Sequence, residues 1–435
     1  MRFLVVGNGA REHAIVWKLS QSSAVTDLLV APGNAGTGQI ARNVPIAAEE
    51  IDGLLSYVQE AEVDVTVVGP EGPLAAGIAD RFREAGLRVF GPVSDAARIE
   101  SSKSFAKDLM VKHGVPTSKA EVFDDHAAAS DYVRRVAEPV VVKADGLAAG
   151  KGVVVAQTRD EALEAVRRIM VDREFGAAGE RILIEECLEG QEVSVFAFVD
   201  GDYVSPMVAA CDYKRVGDGD VGPNTGGMGS FSPPDFWDTE LADRVRREIM
   251  EPVVQALGEM GIPYQGVLYA GLMVTADGPK VIEFNCRLGD PETQAVLPRL
   301  EADLGEVIVS AVDGRLDRTS IEWAPSACVS VVVASGGYPG SYATGHPIEG
   351  LEALDGEVMA FHAGTRTARG NGPGAIVTGG GRVLTLSALG KTLDEARRKV
   401  YANIDRVRFR DSFYRGDIAA TITSSPARGG GLRRG

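Results

Sequence analysis

The sequence has 435 residues, a length that corresponds to about three domains. Its 45 Lys and Arg against 61 Asp and Glu give a formal net charge of −16, which argues against binding to nucleic acid or to an anionic membrane surface. The four cysteines form no C-x-x-C pair, no run of about 20 apolar residues is present, and we expect no secretory leader. We therefore predict a cytoplasmic protein without disulfides, a cysteine–zinc cluster or a membrane span.

The first hundred residues alternate between short apolar runs and helical patterns. Strands are predicted at residues 3–6, 28–30, 63–68 and 88–90, and helices at 11–20 and 74–85. Short apolar runs that end in Gly or Pro and are separated by helices are typical of a parallel, doubly wound sheet. Ligands bind such sheets at the carboxyl ends of the strands, where Gly7-Asn8-Gly9 and Glu71 lie.

The rest of the chain indicates a central α/β domain and a β-rich α+β domain at the C-terminal end. A predicted helix at 101–113 precedes a compact α/β segment at about 120–190, and further strands are predicted at 192–199, 267–274 and 280–283. After Pro325 we predict strands at 328–334, 358–362 and 382–389 and a helix at 392–404. The expected boundaries are therefore 1–100, 101–324 and 325–423, with a disordered Gly/Arg/Ser tail at 424–435.

Gly7-Asn8-Gly9 follows the first strand and opens a helix. A dinucleotide fingerprint does not fit, because Glu12 stands at the third glycine position and no acidic residue ends the second strand. A glycine-rich turn at a helix N-terminus still presents backbone N–H groups that suit an anion. The alternative is a tight turn without a ligand.

Two further segments carry candidate nucleotide contacts. In the first, a buried strand leads to Lys143 and a Gly/Ala loop that ends at Gly152, where small residues let the backbone approach phosphate oxygens. Its alternative is a surface hairpin with solvated lysines. In the second, Glu185-Glu186-x-Leu188 and Glu192 could offer groups to a purine edge and to ribose hydroxyls, although taken alone a charged strand end is the simpler interpretation.

Residues 212–230 are rich in Gly, Asn and Pro and contain the adjacent cations Lys214 and Arg215. We predict a long ordered active-site loop here, because loops of this length in compact domains are usually functional or disordered. Asn224 and Thr225 are its candidate substrate contacts.

Glu283, Asn285 and Arg287 alternate after an apolar run. Side chains two residues apart share a face of a strand, so these three groups are expected to point the same way. A carboxylate and an amide oxygen are hard ligands that suit Mg²⁺ or Mn²⁺, and a guanidinium beside them suits a phosphoryl group. The alternative is an edge strand with alternating polar residues. Cys286 faces the other way and receives no catalytic role.

These segments together resemble the ATP-grasp ligases and, among them, the phosphoribosylamine–glycine ligase (glycinamide ribonucleotide synthetase) family of purine biosynthesis. The likeness rests on Glu283-Phe-Asn-Cys-Arg, Val142-Lys-Ala-Asp-Gly-Leu-Ala-Ala-Gly-Lys-Gly and Gly222-Pro-Asn-Thr-Gly-Gly-Met-Gly, and runs on to Gly336-Gly-Tyr-Pro-Gly. It implies a central ATP-grasp domain whose lid is about 120–190. Leu288 and Ala10 depart from the family pattern, which usually has Phe and Gly there.

The resemblance implies roles for individual residues. For ATP, Lys103 and Lys143 contact the phosphates, with Gly152 in the loop above them, while Glu185, Glu186 and Leu188 line the adenine pocket and Glu192 holds the ribose. Glu283 and Asn285 bind Mg²⁺ or Mn²⁺. The candidate catalytic residues are Arg287, Asp290 and Lys214, and the pocket for glycine and phosphoribosylamine also includes Asn8, Gly9, Glu71, Asn224 and Thr225. The preceding strand supplies no further carboxylate at 269–272, so the number of metal ions stays open.

The implied activity is ATP-dependent joining of glycine to 5-phosphoribosylamine through glycyl phosphate, by a monomer whose partners are small molecules only. One alternative is an ATP-grasp enzyme that activates another carboxylate, such as bicarbonate. Another is a nucleotide-sensing module without turnover.

Overall fold

The computed structural model describes residues 1–148, 151–368 and 375–420. The predicted tail at 424–435 and two residues of the Gly/Ala loop, Ala149 and Gly150, lie outside this range. Within it, no helix combines the length and the apolar character that crossing a bilayer requires.

The N-terminal part forms the predicted parallel, doubly wound sheet, with strand order β3-β2-β1-β4-β5. Its strands are β1 Arg2–Gly7, β2 Asp27–Pro32, β3 Arg42–Asn43, β4 Val65–Val68 and β5 Val89–Phe90. Its helices are α1 Ala10–Leu19, α2 Thr37–Ile40, α3 Ile51–Glu60, α4 Glu71–Ala75, α5 Ile78–Glu84 and α6 Ser94–Ser101. Both faces of β1 are buried, as expected of a parallel sheet: Leu4 and Val6 face one core, Phe3 and Val5 the other.

Two helix predictions in this region are wrong in their boundaries. The helix predicted at 74–85 is two helices, α4 and α5, because Gly77 between them has a φ of +84°, a left-handed conformation that interrupts the helix. The helix predicted at 101–113 starts at Lys103, because Ser102 is extended and its hydroxyl caps the new helix at the N–H of Phe105.

The central part contains a four-stranded sheet with strand order β6-β9-β7-β8, in the region that was expected to form a lid; we call it the lid sheet. Its strands are β6 Ala120–Phe123, β7 Val140–Ala144, β8 Val153–Ala156 and β9 Ile182–Glu186, and its helices are α8 His126–Arg135 and α9 Arg159–Met170. Helix α7, Lys103–Lys112, leads into it. The apolar faces of both lid helices pack on the sheet in a small separate core.

A large antiparallel sheet runs through the central and C-terminal parts in the order β17-β16-β10-β12-β15-β18-β22-β19. Its central strands are β10 Gln191–Asp200, β12 Val208–Asp212, β15 Gly229–Ser232, β16 Gln265–Thr275 and β17 Gly278–Asn285; the short β11 Tyr203–Val204 pairs with β10. The helices here are α10 Thr239–Val245, α11 Glu251–Glu259, α12 Thr293–Val296 and α13 Leu304–Val312. A π-helical turn, Arg246–Met250, joins α10 to α11.

The C-terminal part continues this sheet. Its elements are β18 Ala327–Ala334, β19 Val358–His362, β20 Thr365–Thr367, β21 Ile376–Thr378, β22 Arg382–Gly390 and α14 Leu393–Ile404. Strand β18 pairs with β15, so the β-rich region that follows Pro325 is joined to the central part by backbone hydrogen bonds.

The segment predicted as one long loop at 212–230 is partly a hairpin, which corrects that expectation. Strands β13 Arg215–Gly217 and β14 Val221–Asn224 pair within it. The buried Arg415 holds the hairpin to the end of the described chain, since its guanidinium donates to the carbonyl of Arg215 at 2.9 Å and pairs with Asp417 at 2.7 Å.

Candidate active site

The predicted metal ligands lie at the end of β17, the edge strand of the large sheet. Glu283 pairs with Gly271 of β16, and an extra residue, Ile282, bulges out of the ladder beside it. A Cβ on Gly271 would lie 2.9 Å from Cγ of Glu283, so the glycine leaves room for this carboxylate. Residues 283–285 then continue in regular alternation.

Cations surround Glu283. Partial burial alone would raise the pKa of this carboxyl, but the cations outweigh burial and keep that pKa below its usual value. They are Lys214, Lys143, Lys103 and Arg287. The end of β17 therefore combines an ionised carboxylate with several neighbouring cations.

Asn285 and Arg287 are in contact, as their spacing predicts. The Arg287 Nη2 donates to Oδ1 of Asn285 at 3.1 Å. Two carboxylates also hold this guanidinium: Glu100 Oε1 lies 2.8 Å from Nη2, and Glu71 Oε2 lies 3.2 Å from Nε. Burial acts to lower the pKa of Arg287, but Glu100 and Glu71 outweigh burial and raise it.

The lysines that were expected to contact ATP lie on β7 and α7, close to the end of β17. The Lys143 ammonium donates to the carbonyl of Ile282 at 2.8 Å and pairs with Glu185 at 2.9 Å. Lys107, which the sequence analysis did not single out, lies 3.3 Å from the same carboxylate. Lys103 donates to the carbonyl of Gly146 at 3.0 Å. Lys143 and Lys107 thus share one buried carboxylate, and Lys143 also contacts β17.

The residues expected around adenine and ribose differ in their surroundings. Glu185 is buried and ion-paired with lysines, Glu186 accepts the N–H of Lys119 at 3.0 Å, and Leu188 is half-buried just after β9. The carbonyl of Gly152 accepts the N–H of Ala144 at 2.8 Å and so closes the β7–β8 hairpin. Glu192 forms an ion pair with Lys214.

Lys214 therefore pairs with Glu192, whereas we expected it to face Arg287 and Asp290. Desolvation acts to lower the pKa of Lys214, but Asp212, Glu192 and Glu283 raise it well above its usual value. Asp212 in turn has a pKa raised to about 8, by desolvation first and then by the neighbouring carboxylates of Glu292, Glu192 and Glu283.

At the N-terminus of α1, carboxylates already occupy the predicted anion site. The N–H of Gly9 donates to Glu12 Oε2 at 2.6 Å, and the N–H of Arg11 donates to Asp290. The N–H of Gly9 is therefore already paired with the Glu12 carboxylate, which an anion binding there would have to displace. Gly9 and Asp290 are close to each other, as we expected: a Cβ on Gly9 would lie 3.3 Å from Asp290 Oδ2. The exposed Asn8 accepts at its carbonyl from Asn34 at 2.9 Å.

An arginine of the C-terminal part, Arg382, completes this side of the site. Its Nη1 donates to the carbonyls of Gly226 and Asp290, the latter at 2.9 Å, and lies 3.3 Å from Asp290 Oδ1. The neighbouring Thr225 donates through its N–H and its hydroxyl to the carbonyl of Lys214, at 2.7 and 2.9 Å. Asn224, at the end of β14, is exposed.

Several site residues escaped the sequence analysis. Glu12, which the sequence analysis noted only as a departure from a glycine pattern, is buried beside Gly9, and the buried Glu292 was not considered. Arg382 reaches the site from an element distant in sequence, whereas Glu100 and Lys107 lie within four residues of Lys103 but belong to no pattern that marks them. Only tertiary contacts reveal them.

The donors at the end of β17 fit a divalent ion that arrives with a nucleotide. Among the described residues, no group of three or more His, Cys, Asp or Glu side chains could hold a metal ion on its own. Glu283 and Asn285 supply two hard oxygen ligands, and Mg²⁺ typically takes one or two protein ligands while phosphates and water complete its shell.

Family models describe nearly the whole chain. The N, ATP-grasp (A) and C domains of phosphoribosylglycinamide synthetase match residues 1–100, 101–293 and 328–421. A phosphoribosylamine–glycine ligase of Xanthomonas axonopodis pv. citri is 50% identical over 421 residues, which cover 96% of this chain and 97% of that protein.

Solved structures agree with this assignment. A phosphoribosylamine–glycine ligase of Thermotoga maritima is 32% identical with a TM-score of 0.82, covering 96% of this chain and all of that one. A biotin carboxylase of Campylobacter jejuni, at 14% identity, TM-score 0.71 and coverage of 94% and 92%, shares the fold alone. With three matching domain models, a relative at half identity and the same fold, this chain belongs to the phosphoribosylglycinamide synthetase family.

Proposed function

We propose that this chain joins glycine to 5-phosphoribosylamine at the expense of ATP and releases glycinamide ribonucleotide, ADP and phosphate, a step of purine biosynthesis. The observation that carries this proposal is the end of β17, where the Glu283 carboxylate lies among lysines and the neighbouring Asn285 contacts Arg287. Arg287 in turn pairs with Glu71, which follows β4 of the N-terminal sheet. One strand end thus adjoins both the nucleotide side and the carboxyl ends of β1 and β4, where ligands bind doubly wound sheets.

The proposed chemistry proceeds through glycyl phosphate. A carboxylate oxygen of glycine attacks the γ-phosphorus of ATP and ADP leaves. The amine of phosphoribosylamine then attacks the acyl carbon, the C–N bond forms, and phosphate leaves with that carboxylate oxygen. No protein nucleophile takes part, so positioning and charge neutralisation carry the catalysis.

We assign the contacts with the phosphates, the adenine and the ribose to different residues. Lys103 and Lys143 would bind the phosphates, with Gly152 in the lid hairpin above them. Glu185, Glu186 and Leu188 would line the adenine pocket, and Glu192 would hold the ribose once Lys214 turns from it toward the phosphates. In the structure Lys214 pairs with Glu192. The phosphates of an arriving nucleotide would compete for the Lys214 ammonium and so release Glu192 for the ribose.

We propose Glu283 and Asn285 as the ligands of Mg²⁺ or Mn²⁺. When bound, the ion would neutralise charge on the transferring phosphoryl group. Arg287 and Asp290 would orient glycine and phosphoribosylamine, with Asn8, Gly9, Glu71, Asn224 and Thr225 around them. The lid, at about 120–190, would exclude water, because an acyl phosphate hydrolyses.

The proposal extends to organisation. We propose three units at 1–100, 101–324 and 325–423, acting as a cytoplasmic monomer whose partners are small molecules, without nucleic acid or membrane. The net charge of −16 supports the exclusion of nucleic acid. Light scattering coupled to gel filtration tests the monomer, since a stable dimer would elute at twice the mass of 45.9 kDa.

The decisive experiment uses glycine labelled with ¹⁸O in its carboxylate. With ATP, Mg²⁺ and phosphoribosylamine formed in place from ribose 5-phosphate and ammonia, we expect glycinamide ribonucleotide by mass spectrometry and one ¹⁸O atom in the released phosphate. Product without labelled phosphate would exclude glycyl phosphate but keep the ligase activity. No amide product, with ADP released only when bicarbonate replaces glycine, would favour the carboxylase alternative.

A further inference from the structure

We propose that Glu100 is a positioning residue for Arg287 and, through it, for the metal ligand Asn285. This inference rests on the proposed function, because it assigns Glu100 a part in orienting the groups that act on glycine and on the phosphoryl group. Glu100 lies near the end of α6, in none of the segments that suggested a site from sequence.

One buried carboxylate holds two consecutive residues of the site. Glu100 Oε1 lies 2.8 Å from Arg287 Nη2, while Oε2 accepts the backbone N–H of Cys286 at 2.8 Å and its thiol at 3.0 Å. The side chain of Glu100 is 6% exposed, so water does not compete for these contacts. Charge-assisted hydrogen bonds in such surroundings are short and directional.

The arrangement determines which donors of Arg287 remain for a ligand. Nη2 is used by Glu100 and Asn285, and Nε is used by Glu71. Among the residues that the structure describes, Nη1 makes one hydrogen bond, of 3.4 Å, to the carbonyl of Leu288. A guanidinium has five N–H donors in a rigid plane, so anchoring Nη2 and Nε presents Nη1 to an incoming carboxylate or phosphoryl oxygen.

Glu100 is the firmer of the two carboxylate anchors. Glu71 is 31% exposed in its side chain and lies farther away, at 3.2 Å. Glu71 is also a proposed substrate contact, so its carboxylate would have to shift when the substrate binds. Glu100 is buried and bound to backbone as well, and it stands three residues before Lys103, the first residue of α7. The same segment therefore sets the positions of Arg287 and of a proposed phosphate contact.

The first test is Glu100→Gln, which keeps size and removes charge. We expect kcat to fall about 100-fold, the loss that a small misplacement of a catalytic group produces, while the KM for ATP changes less than about threefold. Asp95→Asn, on the exposed side of the same helix, is the matched control and should retain wild-type kinetics. Unchanged kcat in Glu100→Gln would overturn the proposal.

The second test separates positioning from general structural support. Arg287→Ala should be inactive and should regain activity in millimolar guanidinium, which can occupy the space between Glu71 and Glu100. Adding Glu100→Gln should abolish that rescue, since the remaining anchor does not orient the free ion. Equal rescue in both backgrounds would refute a positioning role. If Glu100→Gln does not fold, Glu100→Asp, which keeps the charge but retracts it, carries the same comparison with an intermediate loss expected.

The two proposals fail differently. Absence of amide product with the wild-type chain contradicts the proposed function. A wild type that makes product, an inactive Arg287→Ala variant and a fully active Glu100→Gln variant contradict only the role of Glu100.

Discussion

Lys143 and Glu185 form a buried ion pair, with Nζ and Oε2 2.9 Å apart, although the two residues belong to neighbouring strands of the lid and were expected to contact different parts of ATP. The same ammonium also donates to the carbonyl of Ile282 in β17. A single side chain thus joins the lid sheet to the strand that carries the proposed metal ligands.

We expect Lys143→Met to lower both stability and ATP affinity. Removing one partner of a buried ion pair costs about 3–5 kcal/mol, and the lower end applies here because Lys107 still faces Glu185. Urea unfolding should show the loss, and the KM for ATP should rise at least about tenfold, as one lost charge-assisted contact implies. In Lys143→Met/Glu185→Gln, stability should partly recover while ATP affinity should not. Lys112→Met, exposed at the end of α7, serves as the control.

Glu283→Gln should abolish metal binding with nucleotide while the chain stays folded. The amide keeps the shape but removes the charge that attracts the divalent ion. We expect kcat to fall about 100-fold or more, since electrostatic stabilisers of a transition state contribute on this scale. Electron paramagnetic resonance of Mn²⁺ with ADP should show bound ion for the wild type and for the exposed control Glu189→Gln, and free ion for Glu283→Gln. Retained Mn²⁺ binding would contradict the assignment.

Arg382→Met should weaken the binding of glycine and phosphoribosylamine without affecting the binding of ATP. Arg382 bridges the Gly226 and Asp290 carbonyls, so its loss frees the segment that carries Asn224 and Thr225. We expect the KM values of glycine and phosphoribosylamine to rise about tenfold, equivalent to about 1.4 kcal/mol, with the KM for ATP unchanged. Steady-state kinetics against Arg398→Met, an exposed position on α14, provide the comparison. A rise in the KM for ATP of the same size would show a general disturbance instead.

Stability should decrease below pH 6.5 because of two buried histidines that join the N-terminal and C-terminal parts. Burial, followed by the influence of His362, lowers the pKa of His13 to about 3, and burial lowers the pKa of His362 to about 4. The unfolded chain binds protons near pH 6.5 and the folded chain only near pH 3–4, so acid favours unfolding between these values. Protonation of His13 at Nδ1 would also break its 2.8 Å hydrogen bond from the backbone N–H of His362.

The expected slope is about 1.4 kcal/mol per pH unit for each histidine between pH 6 and pH 4.5. Urea unfolding at several pH values measures it. His362→Gln should reduce the slope of the unfolding free energy against pH by the contribution of one histidine. His126→Gln, at an exposed position on α8, should leave this slope unchanged. Equal slopes in all three proteins would show that these histidines do not control acid stability.

Local patterns were sufficient for the elements and for the strongest part of the site. Short apolar runs that end in glycine predicted the parallel sheet. A strand that is buried on both faces has a nearly continuous run of apolar residues instead of an alternation of apolar and polar ones. The alternation of Glu283, Asn285 and Arg287 predicted the contact between Asn285 and Arg287, because side chains two apart share a face. Periodicity failed at Gly77 and at Ser102, where one residue leaves the helical conformation within an otherwise helical pattern.

The sequence by itself determined most strands and helices and the shared face of Asn285 and Arg287. These features depend on interactions between residues that are close together along the chain. Which charges meet was decided only by the tertiary structure. Glu12 fills the turn at Gly9, Lys214 turns to Glu192, and Glu100 and Arg382 reach the site from distant elements. The physical reason is that an ion pair depends on distance in space and on burial, and neither quantity is encoded by spacing along the chain.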